Sequence, residues 1–209
     1  KRTLVDRALM QFAPHPHRAT TIAITGGIGS GKSHVCRLLE ADGAPIFYTD
    51  AEAKRIIRTH PDVGAQLRAL VGPEVYDADG QLVKSVLAQF LCRGREYSQQ
   101  VDAIVHPRVA EALHAFVDAH AHHTYIYMEC AILFETGFDR WVDHTLAILC
   151  PLEVRIARIM ARDHIDRATA LRWSDLQMPD EQKAARATAT LINDGQADVA
   201  LQLHQLGLR

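Results

Sequence analysis

Gly26-Gly27-Ile28-Gly29-Ser30-Gly31-Lys32-Ser33 is the stretch on which the reading of this chain turns. It meets the GxxxxGKS pattern of a phosphate-binding loop, and its flanks agree with that pattern. The β-branched run Thr21-Ile22-Ala23-Ile24 before it predicts a strand, while Val35, Leu38, Leu39 and Asp42 after it fall at helical spacing, with Gly43 as the stop. Glycines let the backbone curl with its N–H groups inward, and the dipole of the following helix adds positive potential, so the loop and the adjoining His34 favour a bound polyphosphate. Lys32 is expected to reach the β and γ phosphates of ATP, and Ser33 to offer its hydroxyl to Mg²⁺. The bland alternative is a glycine-rich turn that merely joins strand to helix, and the Lys-Ser ending argues against it. The loop alone leaves open whether the γ-phosphate goes to water or to a second substrate.

Outward from the loop, 44–48, 125–128 and 145–150 read as further short strands, separated by segments of helical periodicity. Strands alternating with helices predict a parallel sheet. The expected fold is α/β: a three-layer P-loop NTPase core with a parallel sheet, a helical substrate-side insertion over about 51–123 and a lid over about 158–183. Residues 21–209 are expected to form this one domain. Residues 1–20, with Pro14, His15, Pro16 and His17, are read as an N-terminal extension. The tail reads as a basic helical stretch over 158–172, a polar stretch over 180–190, the short apolar Leu191-Ile192, then Asn193-Asp194-Gly195 and a closing helix.

With 209 residues, 48% of them hydrophobic, the chain has enough apolar material for one sizeable core. A formal charge of −2 supplies no global attraction to nucleic acid or an anionic membrane, so phosphate recognition has to be local. No apolar run approaches the roughly 20 residues of a membrane-spanning helix, and 1–20 lacks the apolar centre of a secretory signal. Cys36, Cys92, Cys130 and Cys150 are far apart, without a CxxC pair. A cytoplasmic protein, monomeric or weakly homo-oligomeric, is the expectation. His120, His122 and His123 lack acidic partners at ligand spacing and are read as solvent-exposed rather than metal-binding.

Asp50 ends the second strand run, on the side where an open α/β sheet borders its ligand crevice. A carboxylate there can accept the proton of an acceptor hydroxyl and aim its oxygen at the γ-phosphorus. The same residue suits the N-cap of a helix beginning near Ala51. Arg158 and Arg162 are one helical turn apart and share a face, either to reach transferring phosphate oxygens or to form a solvated basic face with Glu153 and Asp163. Glu129, at a strand end, is either an acidic contact to Mg²⁺ through water or a satisfied carboxylate.

Taken together, Thr25 to Ser33 and Tyr48-Thr49-Asp50-Ala51-Glu52-Ala53-Lys54-Arg55 resemble the dephospho-CoA kinase family. His106-Pro107, Ile132-Leu133-Phe134-Glu135, Arg158 with Arg162-Asp163, and Asn193-Asp194-Gly195 extend the resemblance over about 21–205. It implies transfer of the γ-phosphoryl group of ATP to the 3′-hydroxyl of dephospho-CoA, the last step of coenzyme A biosynthesis, with Mg²⁺ as the metal. It further implies that Asp50 orients that hydroxyl, that Lys32 and Arg158 act in transfer, and that Arg158, Arg162 and Asn193 bind ATP, Asn193 near the adenine. His106 and Glu135 fall on the acceptor side. Tyr48 stands where the family often has Asp, and Ala131 where it often has Pro. Read without the resemblance, His106 precedes a proline that suits the first position of a helix. A kinase of nucleoside monophosphates or small sugar acids, and a nucleotide-dependent switch, are the competing readings; no guanine-reading Asn-Lys-x-Asp is evident.

Overall fold

The computed structural model describes residues 11–209. Its centre is a five-stranded sheet in the order β2-β3-β1-β4-β5, built from β1 (Thr20–Thr25), β2 (Ile46–Tyr48), β3 (Tyr125–Glu129), β4 (His144–Leu149) and β5 (Ala189–Ile192). β1 pairs in parallel with β3 (Ile22 opposite Tyr127) and with β4 (Ile24 opposite Leu146), and β4 pairs in parallel with β5. Every residue of β1 is buried, which is why its sequence is continuously apolar or β-branched instead of alternating. The chain leaves β1 toward one side of the sheet and later returns to its other side, so the end of β1 is a switch point where ligand crevices form.

Helices α1 (Lys32–Ala41), α2 (Thr49–Thr59), α3 (Pro61–Val71), α4 (Lys84–Leu91), α5 (Arg95–Ala119), α6 (Leu133–Thr136), α7 (Leu152–Asp163), α8 (Arg167–Asp175), α9 (Asp180–Arg186) and α10 (Val199–Gln205) complete the described chain with two short 3₁₀ turns. The chain divides into two compact units, Lys1–Phe47 with Ala119–Arg209, and Tyr48–Asp118. The first holds the sheet. The second is helical and closes on Ile56, Leu67, Phe90, Val105 and Leu113, with the Tyr76 hydroxyl donating to the Ile57 carbonyl at 2.5 Å.

Four features differ from the expectations. Pro107 lies inside the 25-residue α5 and does not begin a helix. Buried Val101, Val105, Val109 and Leu113 recur every four residues on both sides of it, and this continuous apolar stripe outweighs the lost backbone hydrogen bond. The basic stretch 158–172 is two helices, parted where His164 turns left-handed (φ 53°) and Asp166 caps α8 by accepting from the Thr169 N–H at 2.8 Å. Leu191-Ile192 belongs to a fifth strand at the sheet's edge, whose four residues alternate buried and exposed because one of its faces meets solvent.

The fourth difference concerns the extension, whose residues 1–10 lie outside the described residues. Its remainder is part of the core unit. Phe12 is 1% exposed and meets the His144 ring edge-on, and its carbonyl accepts from the Tyr125 hydroxyl at 2.9 Å. Arg18 donates to both oxygens of Asp143, and Thr20 already belongs to β1. Among the described residues no helix is long and apolar enough to cross a membrane.

Candidate active site

The loop runs from the end of β1 into α1 as the sequence predicts. Gly26, Gly29 and Gly31 all have positive φ, and Gly31, at φ 90°, is the residue from which α1 starts. No carboxylate occupies the first turn of α1, so the positive end of its dipole is not neutralised locally. A Cβ at Gly31 would run into the Asn193 amide, and one at Gly29 would lie 2.7 Å from the Arg155 carbonyl. Glycine is therefore required here by close approach as well as by backbone angle.

Lys32 arches back over the loop, its ammonium donating to the carbonyls of Gly26 (3.0 Å) and Gly27 (3.3 Å). Burial lowers the Lys32 pKa, Glu129 at the end of β3 raises it, and Lys183 lowers it again. The Ser30 hydroxyl is buried with no hydrogen-bond partner among the described residues. Ser33 and His34 are exposed at the start of α1.

A cavity of about 350 Å³ opens beside the loop, with Lys32, Ser33 and His34 on one wall and Arg158 and Arg162 of α7 on the other. Arg158 is anchored, donating to the carbonyls of Asn193 (3.0 Å) and Gly29 (3.3 Å) and to the Cys150 sulfur (3.4 Å). Arg162 is paired with Asp163 and largely exposed. Asn193 is 7% exposed and donates its side-chain amide to the Ser30 carbonyl at 2.9 Å, so it holds the loop directly. The structure thus brings Gly29, Gly31 to His34, Arg158 and Arg162 around one cavity, whereas Gly27, Ile28 and Ser30 lie in the loop behind it and Asn193 supports the loop without lining it.

Glu135 is placed otherwise. One of its oxygens accepts from Lys183 at 3.0 Å and from the Met178 N–H at 2.8 Å. Asp50 and His106 belong to the helical unit. Asp50 is the second residue of α2, not its N-cap, because the helix begins at Thr49 with Tyr48 as the cap residue. Its carboxylate is exposed and pairs with Lys54 at 2.6 Å. His106 lies within α5, 3.3 Å from Asp102.

Sequence reasoning missed Arg37, which lines the same cavity, and Arg155, which is buried beside the loop. Arg155 had a signal, since 155, 158 and 162 form one i, i+3, i+7 stripe of α7. Ser33 and Glu129 supply few and hard oxygen donors. That suits Mg²⁺, which keeps water and phosphate oxygens as its other ligands. Among the described residues no cluster of three His, Cys, Asp or Glu side chains is arranged to hold a metal.

The family model for dephospho-CoA kinase matches residues 20–198. This chain belongs to the dephospho-CoA kinase family. The dephospho-CoA kinase of Bacteroides fragilis is 39% identical over 188 residues, 90% of this chain and 91% of that one. The dephospho-CoA kinase of Salinibacter ruber is 37% identical over 178 residues, 84% and 89% of the two chains. A crystal structure from Thermus thermophilus matches with a TM-score of 0.75 at 34% identity, covering 90% of this chain and 93% of that one. A dephospho-CoA kinase from Campylobacter jejuni, 18% identical with a TM-score of 0.59 over 90% and 94% of the chains, shares the fold.

Proposed function

We propose that this chain transfers the γ-phosphoryl group of ATP to the 3′-hydroxyl of dephospho-CoA, giving CoA and ADP in the cytoplasm. The observation that carries this reading is the meeting of Lys32 with Arg158 and Arg162 across one cavity, on a chain of this family. Phosphoryl transfer needs positioned positive charge more than covalent help from the protein. Lys32 leaves the carbonyls of Gly26 and Gly27 for β and γ oxygens, and the N–H groups of the loop receive the inner phosphates. Arg158, held by Gly29 and Asn193, presents a fixed guanidinium, while the exposed Arg162 moves to meet the phosphoryl group. Ser33 and, through water, Glu129 would hold Mg²⁺, which would supply positive charge to neutralise the phosphates. Asp50 takes the proton of the 3′-hydroxyl and aims its oxygen. Segments near Arg162 close over the reactants and exclude water, which limits hydrolysis.

The test is ADP release from Mg²⁺-ATP with dephospho-CoA set against nucleoside monophosphates and small alcohols at equal concentration. Stimulation by dephospho-CoA alone, with product phosphorylated at the ribose 3′ position, is expected; stimulation only by another acceptor defeats the reading. Asp50→Asn is expected to lose most of the turnover, of order 10²-fold or more as for a general base, while ATP affinity stays within a few-fold. Unchanged turnover removes Asp50 from the mechanism.

A further inference from the structure

The first half of the phosphate loop is held from outside by residues that belong to none of its motifs. The Ile28 N–H donates to the side-chain oxygen of Gln177 at 2.7 Å. Next to it, Arg155 lies against Gly27 so closely that a Cβ there would collide with its guanidinium and come within 3.0 Å of Asp180. Arg155 is 7% exposed; it donates to Asp180 at 2.8 Å and to the Ser174 hydroxyl at 2.5 Å. These contacts fix 174–180, the end of α8 and the link to α9, on the loop, and Gln177 sits in the middle of that link.

We propose that Gln177 is a positioning residue for phosphoryl transfer. It fixes the Ile28 amide, and with it the curvature of Gly27 to Gly29, while the Arg155–Asp180 pair fixes Gln177. A loop N–H left without its acceptor is free to rotate. The neighbouring N–H groups then lose their common direction, and preorganised donors are what make such a cradle effective. The brace also explains why the buried cation is an arginine: its planar fork reaches Asp180 and Ser174 at once, which the single ammonium of a lysine does not reproduce.

The inference rests on the reading of the chain as a kinase, so its test includes one measurement that needs no acceptor. In the wild-type protein, amide hydrogen exchange at Ile28 is expected to be strongly protected; exchange at the rate of an open loop overturns the proposal. Gln177→Met removes the acceptor at similar length. Its kcat with ATP and dephospho-CoA is expected to fall about ten-fold, with the KM for dephospho-CoA within two-fold and the stoichiometry of ATP binding unchanged. Gln177→Glu keeps an oxygen at the same reach and is expected to restore most of kcat. A Gln177→Met enzyme with wild-type kcat refutes the role, as does a Gln177→Glu enzyme no better than it. If wild-type protein fails to phosphorylate dephospho-CoA, the functional reading has failed, and the exchange at Ile28 still decides whether the brace exists.

Discussion

Replacing Lys183 by Met tests how the α9 side of the core unit is attached. Lys183 is fully buried, and its ammonium donates to the Ala131 carbonyl at 2.6 Å and to Glu135 at 3.0 Å. Methionine matches the length and volume but leaves both acceptors without that donor. Breaking a buried ion pair by removing one partner costs about 3–5 kcal/mol. The cost is smaller here because the Glu135 side chain is 24% exposed and keeps the Met178 N–H, and because the ammonium no longer has to be desolvated. A loss of about 2–3 kcal/mol remains, and for a chain of this size that corresponds to about 4–12 °C in melting temperature. Thermal and urea unfolding of Lys183→Met, Glu135→Gln and the double variant provide the measurement. The double variant is expected to be more stable than the sum of the single losses implies, by about 1 kcal/mol or more. A Lys183→Met protein that melts with the wild type, or a strictly additive cycle, refutes the reasoning. So does a Glu135→Gln variant that raises the KM for dephospho-CoA while leaving stability untouched, because Glu135 then serves the acceptor and not the anchor.

Two further perturbations test other contacts of the core unit. Burial raises the Asp143 pKa, but Arg18 and the two Thr21 donors outweigh it and hold the carboxyl well below its ordinary value. Its folded pKa being the lower one, its stabilisation is complete above the unfolded value of about 3.9 and is lost as pH falls below it. Asp143→Asn is thus expected to cost about 1–2 kcal/mol at neutral pH, allowing for the exposure of Arg18. Urea midpoints at pH 7 and pH 3 should show the gap from wild type narrowing in acid; a gap independent of pH defeats the assignment. Gly31→Ala adds a Cβ that meets the Asn193 amide at a residue with φ 90°. Strain of about 1–2 kcal/mol plus the lost Asn193–Ser30 bond predicts ATP affinity at least about ten-fold weaker by calorimetry, and wild-type affinity shows that the loop relaxes freely.

The loop, β1 and α1 were legible because three signals coincide within about twenty residues: a β-branched, fully buried strand, glycines at fixed spacing and a helical repeat. Arg158 was legible as a cation facing phosphate, but the contacts that make it rigid come from Gly29 and Asn193, 129 and 35 residues away. β5 was hidden because only Ala189 and Leu191 face inward, too short a pattern to separate from a turn. Pro107 misled because proline's local rule is strong, while the stripe that overrides it is set by packing. Phe12 and Arg18 lie in a stretch whose prolines and histidines read as a tail, and only their partners Tyr125, Asp143 and His144 reveal them as core. Gln177 carries no signal at all, since an amide side chain gains meaning only from the backbone group it meets.

The strand order also fixes when the nucleotide cradle comes into being during synthesis. β1 is made before its neighbours, β3 at Tyr125–Glu129 and β4 at His144–Leu149, and the amide that secures Ser30 belongs to Asn193. The nascent chain therefore carries the glycine-rich segment, until β3 and β4 have followed it, without the sheet that gives the segment its shape. Tyr48–Asp118, a compact unit drawn from one continuous span, is made well before this. Pairings so distant along the chain form slowly, after the local ones. The binding loop is consequently made before the partners that make it competent, and nucleotide capture reports that synthesis has passed Asn193.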